Sequence, residues 1–273
     1  MGGMVDSGPS QKLPLRVCAG IYGAAMFSFS MMHMVILVLP LWVVLLQPSP
    51  LVIGIVLGSR QFLTLLLSIH GGALMDRLGT RRMMLIFAVI AVLIQPLFPA
   101  MPWVVTLIAL QMIGGLADTM EWMGAQTLAG QLTRGDAGFV GRMSFINRLG
   151  VFIGPLLVGW MWDVAGPWGA FLTMMGWAAC GLGSILLLPA PAKPVSRQRH
   201  RLVDLLPNPA DYAASFRLMV IPSVALVILL AVMRLAGSGI HSSFYVVYLK
   251  DIGISGTEIG LLFSVAGLSA ALG

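Results

Sequence analysis

Gly72-Ala73-Leu74-Met75-Asp76-Arg77-Leu78-Gly79-Thr80-Arg81-Arg82 is a polar, glycine-punctuated turn between two apolar runs, at about 51–74 and 83–100. Crossing a bilayer takes about 20 apolar residues at ~1.5 Å each, so both runs are read as transmembrane helices. The glycines allow a tight turn and close approach of helices. Asp76 ends the first of the two helices within reach of Arg77, Arg81 or Arg82, and of the positive N-terminal end of a neighbouring helix.

Outward from this turn the chain keeps the same character. Of 273 residues 58% are apolar and 10% charged, and the mean hydropathy is +0.95. A soluble domain of this length needs a charged surface that so few charges do not supply. Apolar runs between polar breaks predict eight spans, at about 17–46, 51–74, 83–100, 103–130, 140–161, 168–188, 218–249 and 258–273. The first and seventh are over-long, which implies tilt, a kink or an end in water, and Pro40 is a candidate kink in the first. No cleavable leader is evident, since the polar first 16 residues precede an apolar run far too long for a signal sequence.

The basic residues set an expected orientation. Lys12, Arg16, Arg77, Arg81, Arg82, Arg134, Arg142, Lys193, Arg197, Arg199, Arg201 and Arg217 fall on one side, and Lys250 alone on the other. Positive charge stays in the cytoplasm, so the N-terminus is expected there. The net charge of +6 is explained by this topology, and no nucleic-acid partner is expected. Cys18 and Cys180 lie far apart in apolar runs and read as small packing residues, with no disulfide framework and no metal site. No cofactor motif is present, and HExxH, P-loop and GxSxG patterns are absent, so an enzyme is not expected.

The chain divides into a cytoplasmic N-terminus at 1–16, six spans over 17–188, a polar linker over 189–217 and two further spans over 218–273. The linker opens with Pro189, Pro191 and Pro194 and carries the run Arg197-Gln198-Arg199-His200-Arg201, which would rest at the cytoplasmic membrane face. A weak internal repeat pairs Ser49-Pro50-Leu51-Val52-Ile53-Gly54 with Ser255-Gly256-Thr257-Glu258-Ile259-Gly260. Such repeats are common in transporters, whose sites form between related bundles. Gly273 falls inside the eighth run with no polar anchor after it, and the chain is read as a fragment of a longer protein.

The 72–82 turn resembles the G-x-L-x-D-R-x-G-x-R-R signature of the major facilitator superfamily, in the loop between spans two and three. The resemblance implies an all-α polytopic fold with a complete N-terminal six-helix bundle and the first two helices of a C-terminal bundle. It also implies a gating role for Gly72, Asp76, Arg77, Gly79, Arg81 and Arg82, as a cluster that latches the bundles and breaks during the cycle. A topology anchor without a switching role is the alternative. Gly150-Val151-Phe152-Ile153-Gly154-Pro155-Leu156-Leu157-Val158-Gly159 is similar to the family's G-x3-G-P-x3-G segment, best known from antiporters. Gly150, Gly154 and Gly159 allow close packing and Pro155 bends the helix. Proton-coupled exporters of the family often carry an arginine in span four where this chain has Gln111, ahead of Gly114 and Gly115.

Ionisable residues at membrane depth face a cavity or a partner. Gln111, Gly114, Asp118, Glu121 and Ala125 share one face of span four. Equal depth suggests that Glu121 pairs with Arg148 on span five, similar to the arrangement in sugar–proton symporters of the family, while an anionic substrate group or Asp118 would neutralise Arg234. Arg234, Ser238, His241, Tyr245 and Tyr248 share a face of span seven, while His33 and Arg60 complete the candidate substrate and proton site. Trp42, Trp103, Trp160, Trp162 and Trp168 are expected as an interfacial belt, and the 19 methionines as lipid-facing or filler residues. The expected function is proton-coupled export of a small organic compound across the bacterial inner membrane by alternating access, with protons as coupling ion and a monomeric full-length protein. Import of a sugar or organic acid, and a non-transporting membrane protein of the same fold, are the alternatives.

Overall fold

The computed structural model describes residues 13–133, 135–189 and 216–269, excluding the side chains of 235, 236 and 238–243. Among these residues there is no strand, and eight principal helices follow one another. They are α1 (Leu15–Leu45), α2 (Pro50–Leu78), α3 (Thr80–Ile94), α4 (Val104–Thr133), α5 (137–165), α6 (167–186), α7 (Pro222–Asp251) and α8 (Gly256–Ser269). The apolar runs are thus helical, with ends moved by a few residues, and four of the helical stretches are long and apolar enough to cross a membrane. The N-terminal 1–12, Arg134 and most of the expected linker, with its basic run at 197–201, lie outside the described residues.

The breaks have local causes. Pro50 opens α2 in the first helical turn, where its missing N–H costs nothing. Gly79 separates α2 from α3 at φ 92°, a conformation open to glycine. Pro96 follows the end of α3 and starts one more turn, Leu97–Ala100. The Asp136 carboxylate caps α5, accepting from the amides of Gly138 at 3.1 Å and Phe139 at 3.2 Å. Helical structure extends over the 50 residues from Ala137, but it is broken at Gly166, which adopts φ 64° and ψ −159° just before Pro167. Proline disfavours a helical conformation in the residue before it, so this glycine turns the chain from α5 into α6.

α1 is the central pillar and packs against α4, α5 and α6. Pro40 sits buried inside it. The core at one end of the bundle joins Met34, Leu37, Leu41, Phe98, Leu107, Phe171 and Met174, and at the other Ile21, Met84, Met143 and Ile185. Many methionines are thus fully buried packing residues, with an unbranched, adaptable side chain that suits irregular gaps. Cys18 is half-buried, whereas Cys180 is exposed on the bundle surface and not in the core. Trp103, Trp160 and Trp168 are exposed as expected of a belt, but Trp162 is buried and Trp42 packs edge-on against Phe171. The two halves of the sequence repeat both open helices, α2 after Ser49 and α8 after Ser255.

Candidate functional site

A buried ion pair holds α2 to α4. Ser59–Gln61 tightens into a single 3-10 turn inside α2, and Arg60 lies within it. The guanidinium donates to the Asp118 carboxylate and, at 3.0 Å, to the Gln111 side-chain oxygen. Arg60 and Asp118 are 8% exposed and Gln111 is fully buried. Arg60 is ten residues into α2, ~15 Å from its N-terminal end, and Asp118 is central in the 30-residue α4, ~21 Å from either end, so both lie deep within helices of membrane length. Here an unpaired charge is costly, and each partner offsets the other's desolvation.

Glycines let the pair form. A Cβ added to Gly115 would clash with the backbone carbonyl of Arg60, so α2 and α4 meet backbone to backbone at this level. At Gly114 an added Cβ would stand 3.6 Å from the Arg60 guanidinium. Thr64 and Thr119 face each other 3.5 Å apart one turn further on.

Glu121 lies one turn beyond Asp118 and close enough to feel its charge. It is buried, its Oε2 faces Gly181 of α6 beside Phe27, and its Oε1 has no hydrogen-bond partner among the described residues. The expected pairing with Arg148 is not formed. Arg148 is half-buried on α5 and lies within electrostatic reach of His33 on α1, whose Nδ1 is 3.2 Å from the Phe29 carbonyl. Matching depth was not enough to pair Glu121 with Arg148, because the two face different helices. Nor does Asp118 neutralise Arg234, which is exposed on α7. Tyr245 and Tyr248 are likewise exposed, and the side chains of Ser238 and His241 lie outside the described residues. The structure therefore unites Arg60, Gln111 and Asp118 with Glu121 alongside, and leaves His33 with Arg148 as a second group.

Two further polar side chains are buried in the bundle. Asn147 on α5 and Gln95 after α3 are buried, each with an unpartnered side-chain oxygen. Their only sequence signal is an amide within an apolar run. In the 72–82 turn, Asp76 and Arg82 are exposed while Arg77 and Arg81 are half-buried. Asp76 forms no ion pair among the described residues, and the buried Arg81 Nε has no partner there. The glycines of the α5 segment are contact points. An added Cβ at Gly150 would stand 2.6 Å from Met26 of α1, and at Gly154 3.0 Å from Met34. Gly159 meets the Gly256 carbonyl of α8.

Among the described residues, four helical stretches are long and apolar enough to cross a membrane, and a buried ion pair lies between two of them, which defines a polytopic membrane protein. The Major Facilitator Superfamily model matches residues 21–273, and the chain belongs to that family. It is an integral, multi-pass membrane protein and a secondary transporter of small molecules, from a family of transporters rather than enzymes. No curated protein matches the chain.

Proposed function

We propose that the protein is a proton-coupled exporter of a small organic compound, working by alternating access, with Asp118 and Glu121 as the proton-carrying groups. The observation that carries this reading is the Arg60–Asp118 pair at mid-membrane with a second, unpaired carboxylate one turn away. A proton delivered to Asp118 removes the charge that holds Arg60, freeing the guanidinium and loosening α2 from α4. Glu121 is placed to hand that proton on or receive it. Gln111 stands where similar exporters carry an arginine, and Arg60 reaches that side chain from α2, so the positive charge is supplied from another helix. The closely packed α5 segment Gly150, Gly154, Pro155 and Gly159 favours export over import by its likeness to antiporters.

The distribution of basic side chains supports a cytoplasmic N-terminus and 72–82 turn, with the protein in a bacterial inner membrane. The chain on this reading comprises a six-helix unit over 17–188, a cytoplasmic linker over 189–217 and a second unit from 218. The 72–82 cluster is its cytoplasmic gate. Transport of a panel of organic compounds in inverted vesicles tests the proposal. Collapse of the proton gradient by a protonophore should abolish net accumulation; accumulation that persists would remove the coupling.

A further inference from the structure

We propose that Asp163 is a clasp that holds α5 to α8 and closes the transporter on the side opposite the 72–82 turn. Asp163 ends α5 on that side, three residues before the Gly166 turn. Its carboxylate accepts from the amides of Gly256 at 2.9 Å and Thr257 at 2.7 Å, and from the Thr257 hydroxyl at 2.6 Å. These are the opening residues of α8, whose first amides have no partner within the helix. A carboxylate at a helix N-terminus also meets the positive end of the helix dipole.

The other donors at this end are met within the chain segment itself. Ser255 Oγ accepts from the Glu258 amide at 3.2 Å, and the Glu258 carboxylate accepts from the Ser255 amide at 2.9 Å, a reciprocal capping box. Only the amides of Gly256 and Thr257 are thus capped from another helix, by a residue 93 positions away in sequence. Lys250 at the end of α7 lies within electrostatic reach of Asp163, adding attraction, while Glu258 opposes it.

Below the clasp the two helices touch along a row of small residues. An added Cβ at Gly260 would lie 2.5 Å from the Pro155 carbonyl, and one at Gly267 would lie 2.5 Å from Val151. Ser264, between them, is fully buried. Such a surface closes by shape and opens without tearing interdigitated side chains, so the polar clasp at its rim sets how long it stays shut. On the opposite side Asp76 is exposed and forms no ion pair among the described residues.

A single reporter thiol tests the clasp in the full chain in membranes. Ser264→Cys is placed in a background with Cys18→Ser and Cys180→Ala, and its reaction with a membrane-impermeant maleimide is timed and normalised to labelling after denaturation. Ala129→Cys, in the buried core toward the other face, serves as the control thiol. Asp163→Ala should accelerate labelling at 264 about tenfold, the worth of one charge-assisted hydrogen bond, and leave the control unlabelled. Thr257→Val should accelerate it less, with Thr257→Ser restoring the parent rate. An unchanged rate at 264, or equal acceleration at both thiols, overturns the clasp. Where Asp163→Ala fails to accumulate, Thr257→Val decides by the same outcomes.

Discussion

Arg60 and Asp118 show how little freedom a single charge has at mid-membrane. Removing one partner leaves the other desolvated and alone, whereas removing both leaves an apolar contact. Arg60→Leu alone should therefore destabilise the protein by about 3 kcal/mol, and Arg60→Leu with Asp118→Leu by clearly less, as read from thermal unfolding in detergent. Glu121 has no such partner on its Oε1 among the described residues. Glu121→Gln should keep the protein folded but flatten the dependence of transport on an imposed pH gradient, measured in proteoliposomes. Both acids were legible from the sequence as polar residues on one face of a long apolar run. The partner of Asp118 was not, because helical periodicity fixes a residue's direction around its own axis but not which neighbour lies there. The pairing of Arg60 across to Asp118 was set by the 3-10 turn at Ser59–Gln61 and by Gly115, neither of which announces a contact.

Helix by helix, glycine position separates contacts that bear load from open surface. Gly115 abuts the Arg60 backbone, while Gly58 and Gly72 have nothing within 4 Å of an added Cβ. Gly115→Val should force α2 from α4 and lower both membrane yield and transport at least tenfold, a cost of about 1–3 kcal/mol from overpacking. Gly58→Ala should be neutral or mildly stabilising in the same thermal assay, through better helix propensity. The spans themselves were readable because apolar length is a direct physical requirement of the bilayer. So were most of the breaks, since Pro50, Gly79 and the Gly166–Pro167 pair each impose a backbone state. Asp163 had a weaker trace, as a lone acid at a helix end with the Ser255–Glu258 box far along the chain. No rule of spacing joins two helix ends 93 residues apart.

For the whole molecule, the two faces of the membrane are fastened differently. On one, Asp163 caps α8; on the other, the 72–82 turn leaves Asp76 exposed. Asp76→Asn should slow transport several-fold while leaving membrane insertion unchanged, as measured by initial rates against protein content in vesicles. An unaltered rate would make the turn a topology anchor alone. The family was legible in that turn because its glycines, acid and arginines sit in one short loop, independent of any tertiary contact. Arg60 has a further consequence, for synthesis. It emerges from the ribosome 58 residues before Asp118 does. A lone arginine at the centre of a helix costs about 2.5–3.5 kcal/mol to leave the insertion machinery for lipid. The nascent α2 is therefore poised to linger beside the translocon until α4 arrives with its counter-charge, so that the two helices enter the bilayer as a neutral pair and the order of assembly is written into the position of one guanidinium.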